Sequence, residues 1–395
     1  MQAIPAAAPP YFASRMAVYY FAFFIVGGVH LPFLPVWLES IGLGPEEIGT
    51  CLAVPMAARI LIMPVGSWLA DRAPSRRMAA MAYSIAAVLF FLPAALAPSY
   101  WTILVFASLG AVMIAMAQPP AEAIALAGVR RFGIDYGRVR SVGSIGFICA
   151  NLASGSLYAA FSTGAVLPMV FAALTIAAVA SFVLPSLPGA VVPRSVRPTG
   201  GGWRSLANPE IALLIAAGAL TQASHAQLYG FSTLHWQELG FSGNAIGVLW
   251  ASGVVAEVGL LFLSGVILRH IRPVTLVGLG AAAAIVRWLA FPYVTDFLPY
   301  AALQCLHALT FAGTLAGIQH AIANRVPDEQ TASAQGLFLM ASGLTTAIAT
   351  QLSGPLYAAL GVHSFLVMAP IAAVGLALVV ALRLIFSPRG RAPGA

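Results

Sequence analysis

The stretch Trp37–Gly49, WLESIGLGPEEIG, returns later in the chain as Trp236–Gly247, WQELGFSGNAIG. Tryptophan, glutamate, glycine and the closing Ile-Gly recur in the same order with one residue deleted. Each copy begins where one long apolar run ends and stops where the next begins. Weak internal symmetry of this kind is how a parallel structural repeat shows in an apolar chain. The fold is therefore to be read as one arrangement built twice.

Composition sets the medium. Of the 395 residues 60% are hydrophobic and 8% charged, against roughly 25% charged in soluble domains. The mean hydropathy is +0.92, which marks an integral membrane protein. The apolar runs approach ~20 residues, the length an α-helix needs to cross ~30 Å of hydrocarbon, whereas a membrane barrel shows short alternating segments. Cys51, Cys149 and Cys305 lie inside apolar runs with no pairing or metal-ligand spacing, so neither a disulfide framework nor a metal site is implied. The first run follows Arg15 and continues into HLPFLPVWLES without a small-residue cleavage site, so it reads as a first span and not as a leader.

Polar and Pro/Gly-rich breaks divide the chain into an all-α membrane protein of twelve transmembrane helices in two six-helix bundles. The expected organisation is a tail at 1–14, a first bundle at 15–185, a linker at 186–208, a second bundle at 209–386 and a tail at 387–395. There is no lysine, so nineteen arginines carry the whole positive charge. Arg15, Arg72, Arg76, Arg77, Arg130, Arg131, Arg138, Arg140, Arg194, Arg197, Arg204, Arg269, Arg272, Arg325, Arg383, Arg389 and Arg391 all fall on one side of the twelve-helix scheme. The positive-inside rule then makes both termini cytoplasmic in a multi-pass protein of the cell (inner) membrane. The basic balance follows from these anchors and implies no nucleic-acid partner. Two six-helix halves in parallel repeat resemble the layout of major facilitator transporters, which bind substrate near the midplane between halves.

Three charges break the pattern. Arg59, Glu257 and Arg287 lie inside expected helices. At 1.5 Å rise per residue Glu257 sits roughly 18 Å, and Arg287 roughly 21 Å, from the nearest cytoplasmic landmark, so the two share a depth. A charge there costs at least ~2.5–3.5 kcal/mol and is expected to face a partner or a water-filled cavity. Arg287 is the expected partner of Glu257. Counted from the two Ile-Gly landmarks, Arg59 occupies the position equivalent to Glu257. His307 and Gln304 lie one turn apart on one face. His30, His225 and His320 read as structural histidines, although Gln222, His225 and Gln227 give the seventh helix unusual polarity and make a cavity-facing His225 worth testing. Glu122 and Arg140, judged by pattern alone, sit at helix ends where long side chains snorkel.

AEAIALAGVRRFGIDYGRVRSVGSIGF, spanning Glu122 and Arg140, resembles the helix 4–5 region of the lactose permease family of oligosaccharide/proton symporters. Arg287 and His307 keep that family's spacing, and Glu257 matches its helix-eight glutamate. The segments QASHAQLYGFSTLHWQELGFS, GVVAEV, LHALTF and DYGRVRSVGS, with the AAR that carries Arg59, resemble the 3-phenylpropionate (aromatic acid) permease branch more closely. The resemblance implies that Glu122, Arg140 and Phe147 contact substrate, and that Glu257, His307, Arg287 and Glu122 take part in proton coupling. Thr310 and Gln304 replace a glutamate and a lysine of the lactose permease relay, and Arg59 has no equivalent there. GSWLADRAPSRRM resembles, in weakened form, a superfamily loop motif in which Asp71 and Arg72 act as a conformational latch.

With Arg59, Arg140 and Arg287 set against Glu122 and Glu257, the expected cavity carries one excess positive charge, which favours a carboxylate substrate held by guanidinium. Phe147, Tyr229, Phe231 and Trp288 are available to hold a ring; Trp37, Trp101, Trp236, Tyr293 and Tyr300 read as interfacial belt residues. The leading function is proton-coupled symport of a small aromatic carboxylate by a functional monomer, with no cofactor beyond the proton gradient. Uptake of a neutral sugar or nucleoside is the alternative, and drug export by antiport ranks third. A channel needs a ring of filter groups and an enzyme a nucleophile beside its base, and neither pattern is visible.

Overall fold

The structure, a computed structural model, describes residues 8–187 and 208–386. The expected linker and both expected tails fall wholly or partly outside these residues, as do Arg194, Arg197, Arg204, Arg389 and Arg391. The described residues hold helices and no strand. Hydrocarbon offers backbone groups no partner, so each segment satisfies its own along the helix.

In chain order the segments are α1 (Phe12–Ser40), α2 (Pro45–Arg72), α3 (Arg76–Leu96), α4 (Tyr100–Phe132), α5 (Tyr136–Phe161) and α6 (Val166–Ser181). They continue as α7 (Pro209–Glu238), α8 (Gly243–His270), α9 (Pro273–Ala290), α10 (Phe297–Ala323), α11 (Asp328–Leu360) and α12 (Met368–Ile385). Ten helices long and apolar enough to cross a membrane lie among the described residues. That count differs from the expected twelve because two runs, Tyr136–Ser181 and Ser333–Ile385, are 46 and 53 residues long. Each contains a 3-10 turn, at Ser162–Ala165 and Gly361–Val367.

The chain divides into two compact units, Met1–Val192 with Thr233–Ala251, and Pro193–Ser232 with Ser252–Ala395. In the first, α1 lies along α5 and α6, and α3 along α4 and α6. In the second, α7 lies along α11 and α12, and α9 along α10 and α12. The same pairings recur six helices on, so the parallel repeat read from the sequence is present in the packing. The first core is built around Met16, Tyr19, Tyr20 and Ile124, the second around Leu214, Val277, Ile318 and Phe338.

The repeated landmark has a backbone reason. Gly42 and Gly240 both take positive φ, 91° and 82°. Gly42 N donates to Glu39 O at 2.9 Å and Leu43 N to Leu38 O at 3.2 Å; Gly240 N donates to Gln237 O at 2.8 Å and Phe241 N to Trp236 O at 2.9 Å. Each pair is a Schellman closure that satisfies the last carbonyls of a helix, and it selects glycine at the left-handed position. Helix ends are also tied by arginine. Arg15 Nε and Arg77 Nη2 donate, each at 2.7 Å, to the carbonyls of Val183 and Phe182 at the end of α6, where the helix dipole favours a cation. In the second unit Arg325 pairs with Glu210 and Arg383 donates to Thr275.

Small residues on α5 set its distance from α1. A Cβ added at Gly146 would lie 2.4 Å from the carbonyl oxygen of Phe21, and one at Gly28 2.6 Å from that of Phe147. A backbone carbonyl cannot rotate aside, so Gly146→Val is expected to lower the unfolding midpoint of the purified protein by an amount equivalent to ~1–3 kcal/mol. Gly164→Ala, where nothing lies within 4 Å, leaves it unchanged. A second test uses the turns. Ser162 holds φ 52° and ψ −146°, close to the φ 55° and ψ −136° of Gly361. An L side chain there is strained by roughly 1–3 kcal/mol, so Ser162→Gly should raise the midpoint.

Candidate functional site

Each unit holds a polar constellation among its apolar helices. In the second unit two helical irregularities position it. The seventh helix breaks at Ser224 and His225 into Pro209–Ala223 and Ala226–Glu238. Directly after His307 the tenth helix widens into a π-turn over Ala308–Gly313. Such turns shift the register of the side chains that follow and occur frequently at functional sites. A Cβ at Gly280 would meet Thr314 Oγ1 at 2.2 Å, so only glycine lets α9 pass the widened turn.

Arg287 is fully buried. Its Nη2 donates to Gln304 Oε1, its Nη1 lies 3.3 Å from His307 Nδ1, and its guanidinium sits 4.8 Å from the Trp288 ring centroid. Among the described residues no carboxylate forms an ion pair with it, and its Nε has no hydrogen-bond partner. Glu257, the expected partner, instead has Oε2 3.7 Å from His307 Nε2. A guanidinium can only donate, so His307 Nδ1 must accept, and the neutral ring carries its proton on Nε2, facing Glu257. A doubly protonated ring would set Nδ1–H against the guanidinium. The neutral imidazole therefore lies between the carboxylate of Glu257 and the guanidinium of Arg287.

His225, expected to face a cavity, is fully enclosed. Its Nδ1 lies 3.1 Å from Gln222 O and its Nε2 2.9 Å from Thr310 Oγ1, so Nδ1 donates and Nε2 accepts from the hydroxyl. Its ring meets those of His307 and Trp288 edge-on at 5.2 and 5.4 Å. Tyr229, half-buried, stacks on it at 6.0 Å. Trp288 donates Nε1 to Ser224 Oγ at 3.0 Å, and Phe231 stacks on Tyr357 at 4.5 Å, so both belong to the core.

In the first unit Glu122 Oε1 lies 3.6 Å from Arg140 Nε. Its other oxygen accepts from the hydroxyls of Tyr20 at 2.9 Å and Tyr136 at 2.8 Å. The Arg140 guanidinium lies 4.0 Å over the Phe24 ring. The tyrosines come from α1 and α5, and no spacing in the sequence signals them. Phe147 is half-buried, with its ring 3.3 Å from where a Cβ would stand on Gly27. Arg59 forms no ion pair with Glu122; it lines a separate apolar cavity with His30, which the sequence reading took as a satisfied structural histidine. Asp71 and Arg72 are exposed, and Arg72 folds back over Trp68 at 3.6 Å and donates to its carbonyl. The structure therefore brings Glu122 to Arg140 and His307 to both Glu257 and Arg287, and among the described residues it pairs Asp71 and Arg72 with no other helix end.

Ten long apolar helices among the described residues, and helix pairings that recur six helices on, describe a multi-pass membrane protein. The profile of the MFS_1 like family matches residues 13–367, and the chain belongs to that family within the major facilitator superfamily. It is 32% identical over 362 residues to the "Probable 3-phenylpropionic acid transporter" of Escherichia coli (strain K12), covering 90% of this chain and 94% of that one. It is 28% identical over 279 residues to "Maltose permease" of Geobacillus stearothermophilus, 69% of each. Among solved structures the nucleoside transporter NupG superposes with a TM-score of 0.81 over 95% of this chain and 99% of that one, at 16% identity. A bacterial homolog of the human lysosomal transporter Spinster gives 0.76 over 98% and 100%, at 15%. These two likenesses speak for the fold alone.

The His225 contact is testable by itself. Thr310→Val removes the hydroxyl that serves a buried ring nitrogen, and an unserved buried acceptor costs ~1–3 kcal/mol. Unfolding of the purified protein should show that loss in Thr310→Val and little of it in Thr310→Ser.

Proposed function

We propose that this chain is a proton-coupled symporter of a small aromatic carboxylate, working by alternating access as a monomer in the inner membrane. The observation that carries the reading is the state of Arg287: buried in an apolar helix, bonded to a neutral amide and a neutral imidazole, with Nε unserved. A cation so placed is costly. A substrate carboxylate relieves that cost, because the planar fork of a guanidinium matches two carboxylate oxygens. The likeness to a phenylpropionate transporter supports the same substrate class.

Coupling follows from the order Glu257, His307, Arg287. A proton taken up by Glu257 removes the negative charge that faces His307 Nε2–H. The imidazole then loses its orienting partner, and Arg287 is held less firmly toward His307 and is available to the substrate. Proton and anion thus favour each other's binding and are carried together. Glu122 and Arg140, braced by Tyr20 and Tyr136, serve as a substrate contact in the first unit.

Twelve crossings and cytoplasmic termini belong to this reading. A helix of 46 residues spans ~69 Å at 1.5 Å per residue, more than twice the hydrocarbon thickness, and each of the two overlong runs carries a 3-10 turn. Within the units, the ties of Arg15, Arg77, Arg325 and Arg383 join the helix ends that the arginine distribution assigns to one side.

The test is uptake into proteoliposomes. An inward proton gradient should drive accumulation of 3-phenylpropionate or benzoate, and Glu257→Gln should abolish accumulation while leaving exchange. Gln304→Glu is the sharper variant. It supplies Arg287 with an internal carboxylate, so the folded protein should lose anion uptake by roughly ten-fold or more, the scale of one charge-assisted bond. Uptake of maltose or a nucleoside in place of the acids, or full acid uptake by Gln304→Glu, would overturn the assignment.

A further inference from the structure

The first unit contains a cavity of about 270 Å³ walled by α1, α2, α3, α4 and α6. Its space comes from small side chains. Ala107, Ala111 and Ala115 line it at four-residue spacing on α4, opposite Gly27 of α1. Residues at that spacing share one helix face, so the face presents no bulk where a larger residue would fill the gap. Phe23, Phe91, Ile114, Val170 and Leu174 complete an apolar wall with two aromatic rings.

Three polar side chains interrupt that wall: His30 from α1, Arg59 from α2 and Gln118 from α4. None of them has a side-chain hydrogen bond or ion pair among the described residues. A cation, an imidazole and an amide are thus gathered on an apolar cavity within helices that cross hydrocarbon, with no carboxylate to balance the guanidinium. Apolar pockets with a few convergent polar groups are the usual form of small-molecule sites. The volume lies just below the ~300–1,000 Å³ common for such pockets, which suits one ring with a short side chain. A sugar or nucleoside would also leave most of its hydroxyls facing phenylalanine and alanine, without partners.

We propose that this cavity is a binding site for a monocyclic aromatic carboxylate, separate from Arg287: the ring lies in the apolar part lined by Phe23 and Phe91, and Arg59 takes the carboxylate, with His30 and Gln118 as additional polar partners. The ligand class rests on the reading of the protein as a carboxylate transporter, whereas the site itself rests on the cavity and its three polar groups. Because every lining residue belongs to the first unit, the site does not require Arg287.

Protection from alkylation reads this directly in the full-length protein. In a background with Cys51, Cys149 and Cys305 replaced by serine, a thiol introduced by Ala111→Cys lies on the cavity wall and reacts with a small maleimide. Saturating benzoate should slow that reaction by roughly ten-fold or more and benzamide by much less, since the amide forfeits the charged hydrogen bond. Adding Arg59→Gln should abolish protection, Arg59→Lys should keep part of it, and Arg287→Ala should leave it intact. Ala115→Leu, which fills the cavity without touching a charge, should also abolish it. Unfolding midpoints of all variants identify any that fail to fold, and Arg59→Lys together with Ala115→Leu then decides the case. Protection that survives Arg59→Gln, that vanishes in Arg287→Ala, or that decanol provides as well as benzoate would overturn the proposal. If the wild type carries benzoate into proteoliposomes and the thiol is never protected, this site fails and the transport reading stands. If benzoate protects but is never carried, the transport reading fails and the site stands.

Discussion

Hydrocarbon gives a backbone amide nothing to bond to, and that single constraint organises the rest of the molecule. It makes every described crossing helical, and it confines departures from regular helix to places where other groups meet the freed amides and carbonyls. In the second unit those departures fall at Ser224–His225 and at Ala308–Gly313. They are also where His225 Nδ1 bonds the carbonyl of Gln222 and Gln222 Nε2 bonds that of Phe311. The polar side chains and the irregular backbone are parts of one solution: each supplies partners the other lacks.

Inside that arrangement the hydrogen-bond inventory fixes protonation without appeal to solution chemistry. Arginine has no acceptor and a carbonyl no proton, so the contacts of Arg287 and of the Gln222 carbonyl dictate which nitrogen of His307 and of His225 carries hydrogen. His225 is thereby locked into the wall, while His307 keeps one side toward a carboxylate and the other toward a guanidinium. Two histidines whose rings meet at 5.2 Å are assigned different work by their neighbours. A histidine's role here is a property of what it touches.

The features legible in the sequence were those written in composition or in order along the chain. Apolar run lengths give the helices, the Trp-to-Gly landmark gives the repeat, and the family resemblance, not the pattern of residues alone, brings Arg287 near His307 and Glu122 near Arg140. What was not legible was the facing of residues on helices apolar all round, where no polar stripe marks the inner side. Trp236 and Tyr300 were expected in the interfacial belt and are fully buried, while Trp101 and Tyr293 are exposed as a belt residue would be. Glu257 was assigned to Arg287 from shared depth, but depth carries no azimuth, and His307 stands in the intervening position. Tyr20 and Tyr136 reach Glu122 from two other helices, so no local pattern could announce them. His30 reads from the sequence as a satisfied structural histidine, whereas in the structure it lines the first unit's cavity.

The paired glycine turns have a consequence for how such a chain can change over generations. Gly42 and Gly240 close the corresponding helix ends of the two sequence copies through the same local main-chain bonds. A frame kept by the main chain places few demands on the side chains seventeen residues further on. The same point in the duplicated plan can therefore bear a guanidinium in one copy, Arg59, and a carboxylate in the other, Glu257. Inverting the sign of a charge inside a helix that crosses hydrocarbon would ordinarily threaten a fold. Here inheritance of the scaffold and invention of its chemistry are separable, and the two copies are free to specialise in opposite directions.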